Sequence, residues 1–180
     1  MKKINTAALA RAAILLAICI ISQFFKNLSV YITGPIINTC LIICVLTAGL
    51  SWAIALSVIT PITSFIITGS PIMAAIPLII PCVMIGNIIL TACVYFFKKK
   101  VKKNYSLPLS LLVGSLFKAA FMGAVISSFI IPMLLPEAMA AKKAVFQTTF
   151  SVTQLITSLI GSALALVIYI PVKKIIAREQ

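Results

Sequence analysis

The side chains best equipped for chemistry are scarce in this sequence. It contains no His and no Asp, and its only acids are Glu137 and Glu179. General acid–base catalysis needs a His or carboxylate that can be tuned near neutral pH. Hard and borderline metals need His, Asp or Glu ligands. A proton-coupled carrier keeps an ionisable Asp, Glu or His inside the bilayer. None of these sets can be assembled, so an enzyme, a metal site and a bound cofactor are not expected. Nor is there a GxxxxGK[ST] phosphate loop, so any driven transport must take its energy from elsewhere. Cys40 and Cys44 share a helix face at i, i+4, but two thiols without further ligands make no metal site. All five cysteines lie in apolar runs and read as small packing residues.

Lys118 is the most informative residue. It sits eleven positions into an apolar run over 107–133, near the middle of a membrane crossing. An ammonium at that depth costs roughly 2.5–3.5 kcal/mol on insertion scales, and its stem cannot easily reach either interface. It must face the interior and find an acceptor there. The candidates are amide or hydroxyl oxygens, carbonyls freed by prolines, Glu137 folding in from a loop, or a bound ligand. Asn38, Ser64, Asn87 and Gln154 stand at compatible depths in four other apolar runs, with Thr60 and Thr63 beside Ser64. Each has a bland use as an interhelical hydrogen-bonding group; together they outline a pocket opening outward. Pro61, Pro77 and Pro81 occur in the same regions. Each removes a backbone donor, which a membrane tolerates where protein or a wet cavity satisfies the freed group; a plain kink is the other reading.

The elements that must position these residues are membrane helices. Hydrophobic residues make up 62% of the chain and charged residues 9%, against roughly 25% charged in soluble domains. Crossing a bilayer takes roughly 17–25 apolar residues. Breaks at 48–52 and 68–71 divide the long uncharged stretch, and the expected fold is all-α with six transmembrane helices near 7–25, 33–50, 51–69, 73–97, 107–133 and 150–172, in a single domain over 1–180. The first run, interrupted by Arg11 and lacking a small-x-small cleavage site, reads as a retained helix.

Charge sets the expected orientation. With both termini cytoplasmic, the inner segments hold eleven of the fifteen cations (Lys2, Lys3, Arg11, the five lysines of 98–103, Lys173, Lys174 and Arg178), and the outer ones hold Lys26, Lys142 and Lys143. This is the positive-inside asymmetry. The basic block at 98–103 then reads as a topology determinant touching anionic lipid, and a nucleic-acid partner is not expected.

In these features the chain resembles the substrate-binding S components of energy-coupling factor (ECF) transporters, the vitamin importers of prokaryotes. The resemblance runs through nearly the whole length. It rests on six helices in about 180 residues, Ala8-x-x-x-Ala12 in the first helix, and Gly34-Pro35 followed by Asn38. It rests further on Ile76-Pro77-x(3)-Pro81-x(5)-Asn87, Gly114-Ser115-Leu116-Phe117-Lys118 and Phe150-Ser151-x-x-Gln154-Leu155-Ile156-x(4)-Gly161. It implies a vitamin or related micronutrient held near the outer face of a prokaryotic cell membrane, capped by outer loops at 26–32, 68–72 and 134–149. It also implies partners: a membrane scaffold subunit, docked through Ala8 and Ala12, and two cytoplasmic ATPases. Asn38, Ser64, Asn87, Lys118, Gln147 and Gln154 are the expected substrate-binding residues. Lys118 favours an anionic or electron-rich ligand, while the lack of His disfavours cobalt or nickel. Tyr31, Phe146 and Phe150 are placed either to stack on a ring or to anchor at the interface. The alternatives are a small channel, which needs a continuous polar path, and a ligand-free membrane scaffold protein.

Overall fold

A computed structural model of the chain describes residues 5–25, 29–100 and 105–176. Lys2, Lys3, Lys26, Lys102, Lys103 and Arg178 lie outside them.

Each span begins and ends on recognisable local chemistry. Helix α1 (Thr6–Gln23) starts where the Asn5 side chain accepts from the backbone N–H of Ala7 and Ala8 at 3.1 and 3.2 Å. Helix α2 (Val30–Thr47) starts on Ser29, whose hydroxyl accepts from Tyr31 N–H. The tight turn into α3 (Leu50–Thr68) places Gly49 at φ 99°, and α3 ends on Gly69 at φ 56°. Both backbone conformations favour glycine. The second and third helices thus form a tight hairpin, two residues wide, in keeping with the adjoining expected bounds 33–50 and 51–69.

The fourth span is broken, the fifth is helical over the expected length but changes pitch, and the sixth is the expected helix preceded by helical turns where a loop over 134–149 was expected. The fourth is a short helix α4 (Pro71–Ala75), a break, and α5 (Ile79–Lys100). Pro77 causes the break: its ring disfavours helical backbone in the residue before it, and Ile76 sits at φ −131°, ψ 80°. Pro81 falls in the first turn of α5, where a missing N–H leaves no helix bond unmade. The fifth span is α6 (Ser106–Met122), a wide π-helical stretch (Gly123–Ile130) and a last turn, α7 (Ile131–Leu134). A 3-10 turn (Glu137–Lys142) leads to α8 (Lys143–Phe150), which is separated by Ser151 from the long α9 (Val152–Ile176). The sixth span thus carries a separate helical cap over one end.

The described residues contain no strand, and six spans are long and apolar enough to cross a membrane. The chain is a multi-pass all-α membrane protein. Its outer surface carries exposed Ile14, Ile21, Ile66, Phe129 and Val167. In water such a surface would drive association; against lipid chains it is the matching solvent face.

Inside, α2 is the central element, packed against α1, α3, α5 and α9. Two apolar clusters fill the bundle. One contains Leu41, Ile42, Leu56, Leu90, Val94, Leu111 and Ala165 and lies toward the end that carries Lys98–Lys100 and Lys173–Lys174. The other contains Ile72, Ile79, Met122, Ile126, Ile131 and Phe150 and lies toward the opposite end. At the lysine-rich end, Arg11 Nη1 donates to Thr47 O at 2.7 Å, capping the C-terminus of α2, where a cation suits the helix dipole. That contact explains how an arginine is accommodated in the first span. Lys98 Nζ donates to Tyr169 Oη at 3.0 Å and lies 4.7 Å from the ring centre, tying α5 to α9.

Candidate functional site

Between the two apolar clusters lies a polar layer built around Lys118. The side chain is 3% exposed, and its Nζ donates to Asn38 Oδ1 at 2.6 Å and to Asn87 Oδ1 at 2.8 Å. Asparagines on α2 and α5 thus supply the acceptors for a cation on α6. These are the lengths of charge-assisted bonds. Of the partners open to Lys118 from sequence, amide oxygens take the place; Glu137 is exposed in the 3-10 turn.

Close backbone approach holds this trio in place. A Cβ at Gly161 of α9 would stand 2.7 Å from Asn38 Cβ and 2.8 Å from Pro35 O. Glycine there lets α9 lie directly on α2. Thr39 Oγ1 closes the junction by donating to Pro35 O at 2.8 Å and Gly161 O at 3.0 Å. Gly86, one residue before Asn87, makes room for Met122 on α6, one turn past Lys118.

Lys118, Asn38 and Asn87 border a cavity of about 250 Å³, slightly below the roughly 300–1,000 Å³ of drug-sized sites. α2 contributes Val30, Thr33, Gly34, Ile37 and Asn38, and α3 contributes Thr60, Pro61 and Ser64. Ser70, Ile72 and Met73 come from the α3–α4 corner, Val83 and Asn87 from α5, and Gln154 from α9. Val145, Phe146, Thr149 and Phe150 of α8 complete the wall. All of these lie in the half of the bundle away from the lysine-rich end. The lining surface is mostly apolar, with nine polar residues interspersed, a make-up compatible with a small-molecule site.

The structure therefore brings together five of the six residues read from sequence as substrate-binding: Asn38, Ser64, Asn87, Lys118 and Gln154. Gln147 stands elsewhere. Its Nε2 donates to Ser127 O at 2.9 Å, joining α8 to the π-helical stretch. The reason is a proline. Ile131 N–H bonds to Ile126 O in the wide i to i−5 pattern, and the same pattern would direct the next N–H, at Pro132, to Ser127 O. Proline has no N–H, and Gln147 fills the vacancy. Of the aromatics, Phe146 and Phe150 line the cavity, whereas Tyr31 is half exposed with Oη 3.4 Å from Thr153 Oγ1. Thr63 bonds to Thr60 O and does not line the cavity.

The sequence reading passed over Val30, Thr33 and Ile37, and took Gly34 only as part of the Gly34-Pro35 motif. The signal was there: with Asn38 they form an i, i+3, i+4, i+7, i+8 stripe, one face of α2. It is hidden because α2 is apolar nearly all round, so its cavity face does not stand out.

Ala8 and Ala12, read as a docking surface, are 7% and 3% exposed. Both face into the bundle, and Ala12 belongs to the apolar cluster around Leu41. The i, i+4 spacing does bring a helix close, but that neighbour is within the chain. The alanines of α1 that face outward are Ala7, Ala10, Ala13 and Ala17.

Cys19, Cys40, Cys44 and Cys82 are buried, Cys93 is half-buried, and all five are free. Among the described residues no three His, Cys, Asp or Glu gather in a metal-binding group. Comparison with family models, curated proteins and solved structures finds no match to this chain.

Proposed function

We propose that this protein is the substrate-capturing membrane subunit of an ECF-type importer, taking up a vitamin or related micronutrient from outside a prokaryotic cell. The observation that carries this reading is a buried, amide-bound lysine at the floor of a mostly apolar cavity. Asn38, Asn87 and Lys118 form the polar floor, Thr60, Ser64 and Gln154 the upper polar contacts, and Phe146 and Phe150 of the α8 cap the roof. The chain carries no phosphate-binding loop, so energy would come from ATPase subunits coupled through a membrane scaffold. Docking on that scaffold would use the outward alanines Ala10, Ala13 and Ala17 of α1, since Ala8 and Ala12 are occupied by packing. The lysine-rich end would lie in the cytoplasm.

A passive channel fits less well. Between Lys118 and the lysine-rich end Leu41, Ile42, Leu90, Val94 and Leu111 pack into a buried apolar cluster, which a conducting path would have to cross.

The test is mass spectrometry of small molecules released from the protein after gentle extraction from its native membrane. One small molecule at near one-to-one stoichiometry is expected, lost on Lys118→Met. Uptake of that molecule by cells should require both this chain and an ECF scaffold with its ATPases. Absence of any retained molecule together with unchanged uptake in a deletion strain would sink the reading.

A further inference from the structure

We infer that the cavity floor is a carboxylate seat, and that the captured molecule is a small monoanion with an apolar or aromatic body, bound head first. This rests on the capture reading above and narrows its substrate class.

An ammonium has three N–H donors and no acceptor. Two of the three on Lys118 are taken by Asn38 Oδ1 and Asn87 Oδ1. An amide that gives its oxygen to an ammonium must turn its NH2 group the other way, so Lys118 sets the orientation of both asparagines. Neither NH2 group has an acceptor among the described residues, and neither is sealed away from the cavity that both asparagines line. The three central floor side chains therefore offer N–H donors, and the two acceptors among them, Asn38 Oδ1 and Asn87 Oδ1, are already engaged by Lys118.

The charge balance points the same way. Among the described residues, Lys118 is the only ionisable one lining the cavity. A buried cation without a counter-ion is costly, and one anionic group neutralises it. A dianion would leave a charge unpaired, and an amine would repel. A neutral amide or alcohol could accept a hydrogen bond but would leave the cation uncompensated. A carboxylate has two oxygens and about four lone-pair sites, enough to accept from Lys118 and from both amides together. Above the floor, Ile37, Pro61, Ile72, Met73, Val83 and Phe146 offer apolar surface for the rest of the molecule.

The experiment uses the purified full chain in detergent and six probes: 3-phenylpropionate and 3-indolepropionate, each with its primary amide and its amine counterpart. Equilibrium dialysis gives each Kd for the wild type and for Asn87→Asp. The variant keeps an oxygen for Lys118 but cancels the charge of the floor. We expect each carboxylate to bind wild type at least tenfold tighter than its amide or amine, a factor in keeping with loss of a charge-assisted bond. In Asn87→Asp that preference should vanish. Equal binding of the amides overturns the seat, as does a carboxylate preference that survives Asn87→Asp, or no binding of any probe. The wild-type comparison stands even where the variant fails to fold. The capture reading is judged separately: a neutral or cationic molecule co-purifying in the cavity keeps capture and overturns the seat, whereas no retained molecule and no ECF-dependent uptake overturn capture itself.

Discussion

At the scale of single residues, Lys118 organises its surroundings more than it is accommodated by them. It fixes two amides on two other helices, so its removal leaves Asn38 Oδ1 and Asn87 Oδ1 facing each other without a donor. A buried acceptor left unsatisfied costs about 1–3 kcal/mol. Lys118→Met should accordingly lower thermal stability as well as ligand retention. The buried thiols of Cys19, Cys40 and Cys44 give a direct readout, because they react with a thiol-specific dye only as the bundle opens. A melting curve for Lys118→Met that coincides with the wild type would show that the trio contributes nothing to the fold. Lysine at mid-span, and the shortage of acids to pair with it, were legible in the sequence. Which oxygens it would find was not, because Asn38, Asn87 and Lys118 are separated by 49 and 31 positions in the chain, and only helix packing makes them neighbours.

At the scale of helices, two glycines and one proline decide how the cavity is framed. Gly161 lets α9 touch the backbone of α2, whereas the space at Gly86 is filled by Cγ and Sδ of the Met122 side chain. Gly161→Ala should therefore destabilise the protein by about 1–3 kcal/mol, the usual cost of overpacking, and weaken ligand retention by moving Asn38. Gly86→Ala should be milder, since the Met122 side chain can shift and alanine favours a helix. Equal melting temperatures for the two variants would contradict this. Pro132 frees the Ser127 carbonyl that Gln147 then holds, so Gln147→Leu should release α8 from the π-helical stretch. The check is amide hydrogen exchange over 143–150, expected to quicken while the global melting temperature changes little. The sequence announced these elements only in part. Its helix ends were close in the first three spans, where Asn5, Ser29, Gly49 and Gly69 mark them. The break at 76–78 and the α8 cap escaped because a long apolar run conceals breaks within it, and the π-helical stretch has no composition of its own.

At the scale of the whole molecule, the lysine-rich end and the cavity end are opposite faces of one bundle. The positive-inside bias would put Lys98–Lys100 and Lys173–Lys174 in the cytoplasm and the 3-10 turn with Lys142 outside. Lys142→Cys in intact cells should then react with a membrane-impermeant maleimide, and Lys99→Cys only after permeabilisation. The reverse pattern would turn the cavity toward the cytoplasm and exclude capture from outside. Replacing outward-facing Ala13 with Leu tests partner docking at the same scale. Scaffold assembly should fall while binding by the isolated subunit persists, because Ala13 lies on the surface and does not line the cavity.

The sequence by itself determined that this is a membrane protein of six helical spans, that its cations gather toward one end, and that a lysine lies at mid-depth without an acid to meet it. Those properties follow from composition and order along the chain, through the free energy of moving side chains into hydrocarbon. Tertiary structure alone decided that Ala8 and Ala12 pack inward, that Gln147 braces the cap, and that Asn38 and Asn87 are the lysine's partners. The physical reason is common to all three. A helix buried in lipid and protein is apolar on nearly every side, so its pattern does not say which face meets a neighbour; only the packing of the other helices does.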